Sequence, residues 1–178
     1  LDTEITWSVS GNSALSVAIT SGIATITTPG NNWNGSETIS FMARDPLGLS
    51  NSDAATFTVT PVNDPPVVTD IPNQTIAEGS SFATINLDNY VSDIDDADNL
   101  LTWTYSGNTN LTVTITNRVA TIAVPGADWN GAETITFRAS DDDGASATDQ
   151  ATFTVTAVND APVVADIPGQ SITEGTSF

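Results

Sequence analysis

The chain repeats itself at an offset of 96 residues. Val62-Asn63-Asp64-Pro65-Pro66-Val67-Val68 returns as Val158-Asn159-Asp160-Ala161-Pro162-Val163-Val164. Trp7 returns as Trp103 and Trp33 as Trp129, with no gap between them. Residues 1–82 and 97–178 agree at about 48 of 82 positions. Solenoid units are about 20–50 residues long, so this repeat is too long to be one. It has the size of a whole domain, about 100 residues. The chain is therefore an array of like domains, and such arrays make length or avidity rather than chemistry.

Within each repeat, apolar and polar residues alternate and helical periodicity is absent. Ile23-Ala24-Thr25-Ile26-Thr27, Glu37-Thr38-Ile39-Ser40-Phe41 and Ala55 to Thr60 alternate, as do their copies at Val119–Val124, Glu133–Phe137 and Ala151–Thr156. Thr, Val and Ile are abundant, as β-branched residues are in half-buried strands. Clusters of Gly, Pro, Asn and Asp punctuate the runs at 29–32, 45–48 and 141–144. About seven short strands per repeat, spaced about 8–12 residues apart, predict an all-β chain of tandem antiparallel β-sandwiches. In the complete repeat the spacing predicts strands at 67–69 with 74–77, 82–87, 101–106, 111–116, 119–124, 133–140 and 149–158. Trp103, and Trp7 as its counterpart, fall on the third strand, where a sandwich buries a large aromatic. Trp33 and Trp129 fall in loops, where they either plug the sandwich or offer a stacking platform.

Three segments follow from the repeat. Residues 1–64 form a partial sandwich lacking its first strands, 65–160 a complete one, and 161–178 the opening strands of a third. The chain thus reads as a piece of a longer protein. An incomplete sandwich invites strand addition, so 161–178 of one molecule is a candidate to complete 1–64 of another by homophilic exchange.

Composition excludes much. There are 22 acids against 3 basic residues, a net charge of −19, and no Lys, His or Cys. No thiolate metal site, disulfide or thiol nucleophile can form. No imidazole base and no Ser-His-Asp triad exist. Nothing could neutralise phosphates, so nucleic acid is not a partner. No apolar stretch approaches the ~18 residues that span a membrane, so this segment predicts no membrane insertion. Hydrophobic residues make up 39% of the chain, which is enough for packed cores.

The acids are not spread evenly. Asn63-Asp64 and Asn159-Asp160 end the last strand of a repeat. Asp93, Asp95, Asp96 and Asp98 crowd one loop, and Asp141 to Asp143 crowd another. In a sandwich, the loops at 93–98 and 141–143 lie at the end where the chain enters the unit, beside the linker Asn63-Asp64. Converging carboxylates repel unless protonated or bridged. Calcium takes about 6–8 oxygen ligands, which such a junction can supply, whereas the strict octahedron of magnesium fits less well. The alternative is that these acids only cap turns, as Asp and Asn often do. The loop at 93–98 is not an EF-hand, because Ala97 and Asp98 stand at its fifth and sixth positions.

These motifs resemble cadherin-like and Ig-like repeats, particularly the bacterial tandem repeats of large surface adhesins. Val-Asn-Asp-Pro-Pro-Val-Val at 62–68 is similar to the cadherin linker Asp-x-Asn-Asp-Asn-x-Pro, with Pro65 and Ala161 in place of its last Asn. Asp93-Ile94-Asp95 matches Asp-x-Asp, Ala139-Ser140-Asp141 resembles the start of Ala-x-Asp-x-Gly, and Glu78 resembles the acid of the Pro-Glu motif. The Leu-Asp-Arg-Glu motif is missing. Its place is taken by Trp33-Asn34-Gly35-Ser36-Glu37 and Trp129-Asn130-Gly131-Ala132-Glu133, which makes Glu37 the candidate substitute. The resemblance implies Ca2+ at the first junction, held by Asn63 through its carbonyl, by Asp64 as bridging ligand, and by Asp93, Asp95 and Asp141. It implies a second site of Glu78, Asn159 and Asp160, weak because its Asp-x-Asp partner is absent.

The function expected is a calcium-stiffened structural extender repeat of an extracellular or cell-surface adhesin, with neighbouring repeats of the same chain as its partners. The alternative is a carbohydrate- or cell-binding module whose loops and exposed aromatics contact a surface glycan. Paired carboxylates can hydrolyse glycosides, but the acids here lack a basic partner and a cleft, so no enzyme is expected.

Overall fold

The computed structural model describes residues 4–178. The chain is all-β and divides into two compact units, residues 1–63 and 64–178. Unit 2 contains β6 (Val67–Val68), β7 (Gln74–Ala77), β8 (Ile85–Asn86), β9 (Val91–Ser92), β10 (Thr102–Ser106), β11 (Thr112–Thr116), β12 (Val119–Ala123), β13 (Gly131–Ser140) and β14 (Ser146–Thr156). One sheet runs β10-β13-β14-β7 and another β11-β12-β8, with β6 paired to β9. The side-chain period of two places Ile135, Phe137, Ala139, Ala151, Phe153 and Val155 inside. They meet Leu111, Val113, Ala120 and Ile122 from the facing sheet. Phe153 packs edge-on against both Phe82 and Phe137, with ring centroids 5.2 and 6.4 Å apart.

The opening strand of this unit changes sheets. β6 pairs antiparallel with β9, whereas β7 runs parallel to β14. Between them Pro72 has no N–H to donate. Side chains take over the ladder there. The Ile71 amide donates to Asp149 Oδ2 at 2.7 Å, and the Thr152 amide donates to Asn73 Oδ1 at 2.6 Å. Gln74 then acts as a substitute strand, bonding both the amide and the carbonyl of Ala83.

The strand expected at 82–87 is shorter and interrupted. A 3-10 turn at Leu87–Tyr90 separates β8 from β9. Asn86 caps it by accepting from the Asp88 amide, and Asp88 pairs with Arg118 at 2.8 Å. The Leu87 amide donates to the Arg118 carbonyl while its side chain is fully buried. Polar sequence around a single buried Leu thus folds as a turn rather than as a strand. Arg118 itself sits at φ 61° beside Asn117 at φ 50°, the two-residue turn that closes the β11–β12 hairpin.

Unit 1 contains β1 (Thr6–Ser10), β2 (Ser16–Thr20), β3 (Ile23–Thr27), β4 (Gly35–Arg44) and β5 (Ser50–Val59). Its sheets are β1-β4-β5 and the β2-β3 hairpin. These reproduce the last five strands of unit 2, register for register. Among the described residues of unit 1, no strand corresponds to β6–β9. Trp103 packs against the core of unit 2, but its counterpart Trp7 is 47% exposed. The burial expected of Trp7 therefore does not occur here, because no strand among the described residues of unit 1 covers it. Trp33 and Trp129 plug loops. A Cβ built on Gly35 or Gly131 would stand 3.3 or 3.0 Å from their rings.

Residues 161–178, expected to form opening strands, contain no strand and are exposed. In unit 2 the matching residues are held by β9 and β14.

Gly107 has φ +96°, and an added Cβ would stand 2.6 Å from the Thr134 carbonyl oxygen. Gly107→Ala is expected to lower unfolding free energy by about 1–3 kcal/mol in denaturant titrations. Gly126→Ala, with open space around it, should change it by less than about 0.5 kcal/mol.

Candidate metal centre

Asp93, Asp96 and Asp141 meet at one end of unit 2. Each offers a carboxylate oxygen, and these oxygens lie within 4.8 Å of one another. The local folding that brings them together starts at Asp93. It leaves β9 and accepts the amides of Asp95 at 2.8 Å and Asp96 at 3.1 Å through Oδ1. That Asx turn curls the chain back on itself. It leaves Asp93 Oδ2 buried with no hydrogen-bond partner. Asp141 follows the last residue of β13. Its Oδ1 accepts the Ala145 amide at 2.7 Å and its own amide bonds the Ala145 carbonyl, which pins the 141–145 loop. Asp141 is 6% exposed.

Charge repulsion is strong at this cluster. Burial, then the charges of Asp142, Asp93, Asp141 and Asp143, push the Asp96 carboxyl above its ordinary value. A buried carboxylate oxygen without a donor is costly. Hard oxygen donors around an orphaned buried oxygen are the chemistry a divalent cation such as calcium takes. The donor set therefore fits calcium.

The residues singled out in sequence fall in different places. Asp93 and Asp141 are in the cluster. Asp95 faces the linker, where its Oδ2 accepts the Asp64 amide at 2.7 Å. The third member is Asp96, which the Asp-x-Asp reading passed over. The clue was the turn chemistry of Asp93, which folds both following amides onto one oxygen and so returns the third residue to the first. Asn63 closes unit 1 and Asp64 opens unit 2. At the other end of unit 2, Glu78 accepts from the Val158 amide and from Asn130 Nδ2. Glu78 thus lies against the strand exit leading to Asn159 and Asp160. Asn159 Nδ2 donates to the Asp160 carbonyl, and both residues are exposed. Asn130, from the Trp-Asn-Gly motif, is a contact the sequence reading missed.

Glu37, a candidate ligand by sequence, has both of its oxygens engaged by donors of the turn after β1. Both of its oxygens accept hydrogen bonds from Ser13, Ala14 and Leu15, including the Ser13 hydroxyl at 2.6 Å. Glu133 does the same for Thr109, Asn110 and Leu111 in unit 2. Strand alternation aims these glutamates at the turns after β1 and β10, where bare amides need an acceptor. The Ser13 hydroxyl, followed by the Ala14 and Ser13 amides, holds the Glu37 carboxyl down at about 2. At Glu133 burial acts upward, but the Thr109, Asn110 and Leu111 donors outweigh it and the carboxyl is lowered.

A family model describing a bacterial Ig domain matches residues 63–156, more than half of the chain. The chain belongs to the bacterial Ig domain family. Solved structures place this bacterial Ig fold beside cadherin repeats. The protocadherin fragment PcdhgB3 EC1-4 aligns with a TM-score of 0.54 and 18% identity, covering 88% of this chain and 41% of that one. Protocadherin Gamma B2 extracellular cadherin domains 3-6 align with a TM-score of 0.51 and 20% identity, covering 90% and 42%. At these identities the likeness is one of fold, and this chain spans about two-fifths of either length. No curated protein matches the chain in sequence. No helix among the described residues is long and apolar enough to cross a membrane.

A carboxylate whose folded pKa is depressed stabilises the fold above its unfolded value, and that stability is lost as pH falls through the folded value. For Glu37 the window runs from 4.5 down to about 2. Melting temperatures measured against pH should fall through this window. Glu37→Gln and Glu133→Gln should lower the melting temperature at pH 7 and flatten the acid slope.

Proposed function

We propose that unit 2 holds calcium on Asp93, Asp96 and Asp141, and that this site braces the linker. On this reading the chain is a stiffened structural extender repeat of an extracellular or cell-surface adhesin. The observation that carries the proposal is Asp93 Oδ2, buried without a partner and beside two further carboxylates. A bound divalent cation would cancel the repulsion among these groups and draw in further oxygens. The chain's own residues do the positioning. Asp93 Oδ1 sets the loop, Asp141 Oδ1 sets the facing loop, and Asp95 holds the Asp64 amide, so the linker and the loop move together. Asn63, through its carbonyl, and Asp64 are the linker groups proposed to complete the shell. Neighbouring repeats of the same chain are the proposed partners. Glu78, Asn159 and Asp160 are proposed as the weaker half-site of the next junction, since the Glu78 oxygens already serve Val158 and Asn130.

A structural role also accounts for the aromatics. Trp129 packs on the core of unit 2. The Ig-type scaffold is typically non-catalytic, and no reaction is assigned to the chain.

Extracellular modules bind calcium at about 10⁻⁴–10⁻³ M. Calcium at about 1–10 times its Kd adds about 0.4–1.4 kcal/mol to stability. Millimolar calcium should therefore raise the melting temperature of unit 2 by about 2–10 °C over that in EGTA, taking about 4–8 °C per kcal/mol for a domain of this size. Asp96→Asn should melt higher than the parent in EGTA, because a repelling charge is gone, yet gain little from calcium. Equal melting curves with calcium and with EGTA would contradict the proposal.

A further inference from the structure

One groove of unit 2 is free of charge. It measures about 750 Å³ and is lined from both sides by β7 and β8, the outer strands of their two sheets. β7 brings Gln74 and Thr75, and β8 brings Asn86. The 3-10 turn after β8 brings Asn89 and Tyr90, and Thr84 precedes β8. That size is within the about 300–1,000 Å³ of small-molecule sites. In a chain of net charge −19, no residue lining this groove carries a charge. Asp88, within the same turn, is paired with Arg118 at 2.8 Å.

The polar groups of the groove are also unused by the fold. Asn86 accepts the Asp88 amide through Oδ1, which leaves its two Nδ2 donors. The Asn89 amide group and the hydroxyls of Thr75, Thr84 and Tyr90 have no hydrogen-bond partner among the described residues, and none of these residues is buried. Asn86 and Asn89 stand three residues apart around a 3-10 turn, a spacing that brings side chains to one side. Tyr90 is held in place because it packs against the core of the unit. Gln74 is the exception, since its side chain already bonds the amide and the carbonyl of Ala83. An extended peptide adds to a sheet edge through such backbone groups. With those of Ala83 taken, what the groove offers is side-chain amides and hydroxyls.

A ligand that suits this lining is uncharged, rich in hydroxyls that both donate and accept, and apolar over part of its surface. We infer that the groove binds a neutral oligosaccharide, with Asn86 and Asn89 bonding neighbouring sugar hydroxyls and the Tyr90 ring supplying apolar surface beside them. The chemistry selects against charged ligands of either sign. An acidic glycan meets the negative field of the whole chain and no cation in the groove. A cationic ligand finds no carboxylate there to pair with. The site lies away from Asp93, Asp96 and Asp141, none of which lines it. The inference does not rest on calcium.

The full chain, labelled and applied in EGTA to an array of oligosaccharides, tests it. The array carries neutral glucans, galactans, mannans and xylans beside sulfated and uronic-acid glycans. The parent should hold at least one neutral class, at least tenfold more tightly than any acidic one. Asn89→Ala removes an amide and Thr84→Arg fills the groove. Both side chains are exposed, so both variants should melt as the parent does, yet bind that glycan at least tenfold more weakly. Thr114→Ala, on β11 and outside the groove, should bind as the parent. No neutral glycan held by the parent, acidic glycans held as tightly, or Asn89→Ala and Thr84→Arg binding like the parent would each overturn the inference. So would a random peptide library that yields binders lost in Thr84→Arg where no glycan binds, since the groove would then take an added strand.

Discussion

Everything at the candidate site depends on how residues 67–77 cross from one sheet to the other. β6 holds β9, and β7 holds β14. The crossing is kept by Asp149 and Asn73, whose side-chain oxygens accept the amides of Ile71 and Thr152 on either side of Pro72's missing donor. With the crossing made, Ile71 and Phe82 seal the core. β9 then ends where Asp93 begins, so the same pairing that closes the sandwich delivers the acidic loop to the end of unit 2 where the linker enters. Unit 1 shows the converse. Its five strands repeat the register of unit 2, but no crossing strand stands among its described residues and Trp7 is half in solvent.

The net charge of −19 is also not one uniform feature. Some carboxylates are fully employed by backbone amides: Glu37 and Glu133 at turns, Asp95 on the linker, Asp149 on the crossing. Hydrogen bonding lowers Glu37 and Glu133 as expected for stabilised anions. The cluster of Asp93, Asp96 and Asp141 is different. There burial and like charges push Asp96 upward and one oxygen of Asp93 has no donor.

Much of this was legible in the sequence. The period of two and the turn clusters gave the all-β class and most strand positions, because alternation reports directly which face is buried. The acidic seams were legible because each repeat marks them twice. What could not be read was side-chain direction within loops. Asp93-Ile94-Asp95 suggests that Asp95 joins Asp93, yet the Asx turn sends Asp96 there and gives Asp95 to the Asp64 amide. Glu37 looked like a ligand by its place after Trp-Asn-Gly. Its partners are the bare amides of Ser13 to Leu15, about 24 residues away in sequence and visible only once β4 is set against the turn. The interrupted strand at 85–92 was hidden for the same reason, since Asp88 and Arg118 meet only after the β11–β12 hairpin forms.

The functional claim rests on one group of atoms, so the most direct test addresses them. Calcium titrated by isothermal calorimetry into the intact chain should give saturable binding near 10⁻⁴–10⁻³ M. Asp93→Asn should weaken it at least tenfold while leaving the far-ultraviolet circular dichroism spectrum unchanged. A parent chain that shows no calcium binding, or an Asp93→Asn chain that binds as the parent does, would contradict the account.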